Sequence, residues 1–373
     1  MRYEFGKNWA AFAERHLSDD KIRDSRQRLL QFLKLPDLRG KSFLDIGSGS
    51  GLHSLAAHRA GAESILSFDF DPDSVATTNR LREWSGSPSN WTVRQGSILD
   101  TNFLSQLPQV DIVYSWGVLH HTGDMWTAVA NAASFMKPDG VFFLALYTSD
   151  VYVNPSPEYW LRVKQAYNLA GPWRRRWMEL THICRFCIWD DLRARRNPLK
   201  RIFNYSAGRG MVFLTDLRDW LGGWPMEFAG LVETKDFCAK KLELEVLNVN
   251  AGEGNTEYLV RRRGATNWWD TVLAAHPLVE LNGPFVHRAG HGYVASLPAF
   301  VEEGDSPEFP RRSRVMLYED GVPFGFAHAP DDWIVTHGRS RYSHGGSGLL
   351  FSTSDNSNPN TNGCRYAIRT EFL

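Results

Sequence analysis

Between residues 42 and 147 the chain alternates short apolar runs with longer segments in which apolar residues recur at helical spacing. Short apolar or alternating runs predict β-strands, and recurrence every three or four residues predicts helices. A regular alternation of the two predicts parallel βαβ units. The predicted strands span residues 42–46, 64–69, 91–96, 111–116 and 141–147. The helices between them begin near Leu52, Asp73 and Met125.

Helical patterns also flank this alternation. Residues 9–34 predict one or two helices, and residues 150–225, which lack strand alternation and are rich in Arg and Trp, predict a helical insertion over the sheet. A helix near 231–239 is followed by strands near 244–250 and 256–262, which a hairpin turn joins. We therefore expect an α/β fold with a Rossmann-like sheet of seven strands that ends in an antiparallel hairpin.

After Gly264 the composition shifts to Gly, Pro, Ser, His and aromatic residues in short runs, which predicts a small β-rich unit. Its predicted strands span residues 314–318, 333–336 and 348–352. A length of 373 residues also suits two compact units better than one. We place the domain boundary there, between a domain of residues 1–264 and an accessory domain of residues 265–373.

Charge and cysteine content limit the classes of function. The 42 Lys and Arg residues balance 42 Asp and Glu residues, so no chain-wide field attracts nucleic acid or an anionic membrane. The N-terminus carries charge where a signal peptide has an apolar run, and no segment approaches the roughly 20 apolar residues that span a bilayer. Four cysteines do not make a disulfide framework. We expect a cytoplasmic protein with no metal site and no nucleic-acid partner.

The strongest local signal is the glycine loop that follows the first predicted strand. The strand ends in an acid, Asp45, and the loop contains Gly47, Ser48, Gly49 and Gly51 before a helix begins. Glycines there permit a tight turn and allow the backbone to approach a ligand. The opening of the helix would direct unpaired N–H groups toward the same ligand. This pattern predicts a nucleotide-type cofactor site.

The spacing and charge of the loop select among cofactors. A dinucleotide site needs G-x-G-x-x-G, but the sixth positions counted from Gly47 and Gly49 are Leu52 and Ser54. The Asp45 carboxylate would repel a pyrophosphate, whereas it would attract the ammonium of a methionine moiety. The residues therefore favour S-adenosyl-L-methionine over NAD.

The next two strand ends complete the predicted cofactor site. Asp69 ends the second strand, where a carboxylate can accept hydrogen bonds from both ribose hydroxyls. Asp71 is expected to face solvent or to cap the following helix. After the third strand, Ile98 would lie against the adenine, with Gly96 and Ser97 making polar contacts at the ring edge.

The glycine loop and these strand ends resemble the class I S-adenosylmethionine-dependent methyltransferases. The fourth-strand segment DIVYSWGVLHHT, residues 111–122, resembles the corresponding motif of the benzoquinol methylase-like branch. Residues 209–211 and 219–225 resemble a further segment of that branch. The likeness covers about residues 1–262 and implies the fold and the cofactor. It leaves the acceptor open, since the branch methylates oxygen, nitrogen and carbon.

The end of the fourth strand is predicted to lie beside the cofactor, where open α/β sheets bind ligands. Ser115 and Trp116 are expected to contact the cofactor, with Trp116 and Leu119 as walls of its pocket. His120 or His121 is the candidate general base, because an imidazole pKa near 6.5 suits neutral pH. The alternative is that one histidine packs the loop and the other binds cofactor backbone.

The insertion is the predicted lid over the acceptor. Three roles are open for it. It binds a phosphorylated or otherwise anionic acceptor, it lies on an anionic lipid surface, or it forms an amphipathic cover whose arginines are solvated. Asp219 and Glu227 are the next candidates for the base if neither histidine serves. The basic residues of the insertion are Arg162, Lys164, Arg174, Arg175, Arg176, Arg185, Arg193, Arg195, Arg196, Lys200 and Arg201. The aromatic residues between them are Tyr159, Trp160, Trp173, Trp177 and Trp189.

Residues 342–344 and 351–359 resemble a module attached to bacterial surface-polysaccharide enzymes, and that resemblance implies sugar recognition. An interaction or oligomerisation module is the alternative. We expect a methyltransferase that O-methylates a sugar-containing or phosphorylated acceptor, a small-molecule or glycan partner. A quinol or other small aromatic acceptor is the second hypothesis. The third is a non-catalytic, cofactor-binding scaffold with an interaction module.

Overall fold

The computed structural model describes residues 6, 18–193, 197, 213–252, 254–297, 304–346, 348–370 and 372. Its main sheet has seven strands in the order β3-β2-β1-β4-β5-β7-β6. The first strand pairs in parallel with β2 and β4, whereas β7 pairs antiparallel with β5 and β6. The strands are β1 Ser42–Ile46, β2 Ser64–Asp69, β3 Trp91–Gln95, β4 Val110–Trp116, β5 Met136–Tyr147, β6 Leu244–Ala251 and β7 Asn255–Arg262. The predicted Rossmann-like sheet with its terminal hairpin is confirmed.

Helices connect these strands. They are α1 Asp19–Leu33, α2 Leu52–Arg59, α3 Pro72–Trp84, α4 Thr101–Leu104 and α5 Met125–Ser134. The N-cap of α3 is Asp71, whose carboxylate accepts the N–H of Asp73 at 2.9 Å, so the predicted capping role is confirmed. Proline at the first position of α3 suits that cap, because its missing N–H would have no helical partner. Of the predicted N-terminal helix, residues 9–17 lie outside the described residues.

The central strands are apolar along their length because helices cover both faces of a parallel sheet. Phe43 and Leu44 of β1 and Ile112 and Val113 of β4 are fully buried. At the start of β1 the backbone N–H of Ser42 donates to the Asp111 carboxylate at 2.8 Å. This burial and anchoring hold the opposite, carboxyl ends of β1 and β4 in fixed register.

The described part of the insertion is helical, as predicted. It consists of a 3₁₀ turn Ser149–Val151, α6 Pro157–Leu169, α7 Pro172–His182, a π-helical turn Ile183–Ile188, α8 Trp189–Arg193 and α9 Phe213–Gly222. Tyr167, Leu217 and Leu221 form a small apolar core between α6 and α9. Arg195, Arg196, Lys200, Arg201 and the segment 209–211 lie outside the described residues.

Helix α10, Leu231–Lys241, precedes the hairpin. After the hairpin come α11, Trp268–Ala275, and a β-rich region with two four-stranded sheets. The sheets have the orders β13-β14-β10-β9 and β12-β11-β15-β8. Their strands are β8 Val279–Glu280, β9 Val286–Ala289, β10 Gly292–Ser296, β11 Met316–Glu319, β12 Val322–Pro323, β13 Tyr342–Gly345, β14 Gly348–Phe351 and β15 Tyr366–Arg369. Leu317, Phe351 and Ile368 are fully buried in the shared core.

Two residues that carry the polysaccharide-module resemblance lie inside this core. The Tyr342 hydroxyl donates to the carbonyl of Val315 at 3.1 Å. His344 is buried, with its Nδ1 atom 2.8 Å from the hydroxyl of Ser313. These side chains therefore hold the sheets together.

The predicted strand at 333–336 is wrong, because these residues belong to helix α12, Asp331–Thr336. The sequence Trp-Ile-Val-Thr has high β-propensity, which tertiary packing can override. Pro330 and two acids in the first turn favour a helix start, and the buried Ile334 fixes the helix against the β-rich core. The predicted strand at 314–318 exists, shifted to Met316–Glu319.

By internal contacts the chain divides into two compact units, Met1–Lys137 with Ser149–Phe228, and Pro138–Thr148 with Ala229–Leu373. The domain boundary at residue 264 stays a prediction. Within the second unit, Lys235 Nζ donates to the carbonyl of Pro323 at 2.5 Å, and Ala251 N–H to that of Gly325 at 3.2 Å. In the described part of the chain, every helix is too short or too polar to cross a membrane.

Candidate active site

The glycine loop turns sharply at the carboxyl end of β1. Gly47, Gly49 and Gly51 have φ angles of 75°, 54° and 78°, values that side chains with a Cβ rarely adopt. A Cβ on Gly47 would also lie 2.4 Å from a methyl carbon of Val118. The loop is held against β2, because the N–H groups of Gly47 and Ser48 both donate to the carbonyl of Phe68.

Asp69 joins the three predicted cofactor segments. One oxygen of its carboxylate accepts the N–H of Gly49 at 2.9 Å, and the other accepts the N–H of Asp71 at 2.9 Å. Its carbonyl accepts the N–H of Gly96 at 3.0 Å, which brings the end of β3 to the end of β2. The structure therefore places the glycine loop, Asp69 and Gly96 at one edge of the sheet, as a cofactor that spans them requires.

Asp45 lies below the loop and is almost fully buried. Its carboxylate accepts the hydroxyl of Ser54, and burial raises the pKa of Asp45 to about 7. A buried carboxylate of this kind is stabilised as an anion by a nearby cation. The ammonium of a methionine moiety would supply that charge, so the residue fits the predicted cofactor.

The segment after β3 is also closely packed. A Cβ on Gly96 would lie 2.3 Å from the ring of Phe103, so any other residue there would require that ring to move. The Ser97 hydroxyl accepts the N–H of Leu99 at 3.2 Å, and the carbonyl of the buried Ile98 accepts Asn131 Nδ2 at 2.8 Å. These contacts fix the backbone on which the predicted adenine contacts depend.

The two predicted cofactor contacts at the end of β4, Ser115 and Trp116, differ in exposure. Ser115 is buried, and its hydroxyl donates to the carbonyl of Ile46 at 3.1 Å. Trp116 is 40% exposed, with its ring centroid 6.2 Å from that of His53. Burial lowers the pKa of His53 to about 4, so this ring is neutral. His53 is not among the predicted site residues, although its place directly after the glycine loop is a signal.

The two candidate histidines lie in a 3₁₀ turn, Leu119–His121. The Nδ1 atom of His121 is 2.7 Å from the carbonyl oxygen of Pro225. A carbonyl can only accept, so Nδ1 carries the proton, and the lone pair of the neutral ring is on Nε2. His120 is fully buried, and this burial, aided by the charges of His121 and Lys164, places its pKa well below 6.5.

The residues that end the insertion bind this turn. Glu227 donates its N–H to the carbonyl of His120 at 2.8 Å and accepts the N–H of Met125 at 3.0 Å. The carboxylate thus lies at the positive N-terminus of α5. Burial raises the pKa of Glu227. Through these bonds Glu227, a reserve candidate for the base, fastens the histidine turn to the start of α5.

Lys164 of α6 is a buried cation that the sequence placed only among the basic residues of the insertion. It is 1% exposed, its Nζ lies 4.0 Å from the ring centroid of Trp220, and it donates to the Trp220 carbonyl. Burial lowers the pKa of Lys164 to about 7, although the negative charge of Asp219 acts to raise it. The spacing of Trp160, Lys164 and Tyr167 on one helical face was the available signal.

A mixed seven-stranded sheet with this glycine loop and an acid after its second strand fits the predicted S-adenosylmethionine-dependent methyltransferase. Residues 14–228 match the family described as "Methyltransferase domain", and the chain belongs to this family. The cofactor is S-adenosylmethionine, which supplies a methyl group on a sulfonium when bound.

Similar curated proteins include ribosomal protein L11 methyltransferases. The protein of Acinetobacter baumannii strain SDF is 30% identical over 130 residues, which are 35% of this chain and 42% of the relative. That of Tolumonas auensis is 25% identical over 135 residues, which are 35% of this chain and 46% of the relative. The chain spans less than half the length of these two relatives.

Similar solved structures include the N-terminal domain of EvdMO1 with SAH bound, at 16% identity and a TM-score of 0.39, covering 66% of this chain and 83% of that one. An O-methyltransferase family protein from Burkholderia thailandensis is 13% identical with a TM-score of 0.41, covering 65% of this chain and 57% of that one.

Proposed function

We propose that the protein transfers a methyl group from S-adenosylmethionine to a hydroxyl oxygen of a sugar-containing or phosphorylated acceptor. The observation that carries this proposal is the hydrogen bond from His121 to Pro225, which leaves the ring's basic nitrogen at Nε2. As the oxygen–methyl bond forms and the sulfur–methyl bond breaks, the hydroxyl must lose its proton. Nε2 of His121 is the group that would accept it.

The phosphorylated part of the proposal depends on Lys164. A phosphate beside this ammonium would restore the charge that burial disfavours, as opposite charges do when they pair. Lys164 also lies close enough to His120 to lower the pKa of that ring. The rings of His120 and His121 lie 4.4 Å apart, so the proposed base and this cation belong to one neighbourhood. That pairing supports an acceptor with a hydroxyl and an anionic group.

A quinol or other small aromatic acceptor is the second candidate, and the aromatic side chains of the insertion favour it. The rings of Tyr152 and Trp220 are stacked, with centroids 5.7 Å apart and planes 10° from parallel. Phe228 meets Tyr152 edge-on at 4.9 Å. Flat acceptors bind well among such rings.

The deciding experiment measures release of the demethylated cofactor product with two sets of acceptors, sugar phosphates and nucleotide sugars in one, quinols and catechols in the other. We expect turnover with the first set. Lys164→Met should raise KM for phosphorylated acceptors and leave KM for an unphosphorylated analogue nearly unchanged. Turnover only with the aromatic set, insensitive to Lys164→Met, would overturn the proposal. Cofactor binding without product from either set would favour the scaffold.

A further inference from the structure

Helix α7 presents an apolar stripe to solvent. Trp173, Trp177 and Leu180 are 90%, 66% and 61% exposed, and Cys184 in the π-helical turn is also exposed. Their spacing of four, three and four residues places them on one face of a helix. Large apolar side chains that share an exposed face mark an interaction surface, whereas single ones do not.

The orientation of α7 is fixed by polar contacts on its opposite face. The buried Glu179 carboxylate accepts the hydroxyl of Tyr167 at 2.8 Å and Arg218 Nε at 3.1 Å. Arg175 Nε donates to the carbonyl of Tyr167 at 3.0 Å. Because the polar face is bound inward, the helix cannot rotate to bury its tryptophans without breaking these bonds. The outward position of the stripe is therefore built into the fold.

Neighbouring residues extend the surface and give it a positive rim. The exposed apolar residues beside the stripe are Leu169, Trp189 and Leu192. The exposed arginines around it are Arg174, Arg176, Arg185 and Arg193. Of the acids in residues 172–193 whose side chains the structure describes, Glu179 and Asp191, both are buried. An apolar centre of tryptophan and leucine with an arginine rim complements a surface that is apolar inside and negatively charged outside.

We propose that this face of the insertion, Trp173, Trp177, Leu180 and Cys184 with its arginine rim, docks on an anionic lipid bilayer. Tryptophan is enriched at the boundary between headgroups and acyl chains, where its amphipathic ring fits. Arginine guanidinium groups bind lipid phosphates. Helices with this arrangement lie in the plane of the interface. The proposal concerns where the enzyme works and is independent of which acceptor it methylates.

The experiment is flotation of the full chain with vesicles of phosphatidylcholine alone or of phosphatidylcholine mixed with phosphatidylglycerol. We expect binding to the anionic vesicles at least about tenfold stronger than to the neutral ones, and weaker binding at high salt, since salt screens the arginines. The triple variant Trp173→Ser, Trp177→Ser, Leu180→Ser should lose about tenfold or more. Arg174→Glu with Arg176→Glu should remove the preference for anionic lipid.

The matched control is Trp84→Ser. It removes a tryptophan of α3 that is 60% exposed and lies outside the insertion. It should bind vesicles like the wild type. The serine variants should keep the wild-type melting temperature, because the changed side chains are exposed. The double arginine variant should melt lower, because Arg176 Nη1 lies 4.0 Å from the Glu179 carboxylate. Failure of the wild-type chain to bind anionic vesicles overturns the proposal, as does equal binding by the triple variant. If the wild-type chain is a dimer and the triple variant is a monomer that still binds lipid, the face is instead an interface between two copies of the chain.

Discussion

Gly49 donates its backbone N–H to the carboxylate of Asp69, with 2.9 Å between the nitrogen and Oδ2. The glycine loop is thus fastened by the same side chain that is predicted to bind the ribose of the cofactor. A substitution at Asp69 therefore changes both the ligand contact and the unliganded loop.

Asp69→Ala should weaken S-adenosylmethionine binding by about 1–3 kcal/mol, because hydrogen bonds to a charged group are lost. The melting temperature without ligand should also fall, since the N–H groups of Gly49 and Asp71 lose their acceptor. Titration calorimetry and thermal melts measure the two effects. Asp69→Asn is the control, because it keeps one carbonyl oxygen as an acceptor. Unaltered affinity in the alanine variant would contradict the ribose assignment.

His121→Asn should lower turnover by roughly 10²–10⁴ while cofactor affinity stays near normal, because the amide cannot accept the acceptor's proton. The amide N–H can still donate to the carbonyl of Pro225, so the turn should keep its shape. His120→Asn is the comparison, and it should lower stability because that ring is buried. Steady-state kinetics and melting curves separate the two. If both variants keep full turnover, the base lies elsewhere.

The stability of the protein should rise between pH 7 and about pH 10. Burial lowers the pKa of Lys164 from 10.5 to about 7, so across this window the unfolded chain binds more protons than the folded one. The free energy of unfolding then increases with pH, and the penalty of burying the ammonium is fully present below pH 7. Urea unfolding at several pH values measures the slope.

Lys164→Met provides the control for this pH effect, because methionine has a similar length and no charge. The variant should show a smaller rise in the free energy of unfolding from pH 7 to pH 10 than the wild type. Equal slopes in the two proteins would show that Lys164 titrates normally. Because other groups titrate in both proteins, the effect of Lys164 is the difference between their free energies of unfolding at each pH.

A chain that ends after residue 264 should fold and bind S-adenosylmethionine with a lower melting temperature. The loss of stability follows from contacts that would disappear, including those of Lys235 with Pro323 and of Ala251 with Gly325. Calorimetry and thermal melts test both statements. An insoluble or non-binding product would show that the two parts share a core. Methylation of the natural acceptor at full rate would exclude the C-terminal residues from acceptor binding.

The sequence predicted the main sheet and the glycine loop because both are local patterns. Strands such as β1 and β4 are continuous apolar runs, and the loop needs glycine for its backbone angles. The surroundings of His121 and Lys164 could not be predicted in this way, since their geometry depends on residues distant in the chain. Lys164 contacts Trp220, which lies 56 positions later in the chain, and His121 contacts Pro225, which lies 104 positions later. Single-residue properties do not encode such pairings.

The segment from Pro225 to Glu227 ends the insertion and at the same time holds the imidazole of His121 and the first turn of α5. The helices from Pro157 to Gly222 precede this segment in the chain. Evolution or a protein engineer could therefore graft a different set of helices into that interval, provided that residues 225–227 are retained. New acceptors would then meet the imidazole of His121 in an unchanged orientation.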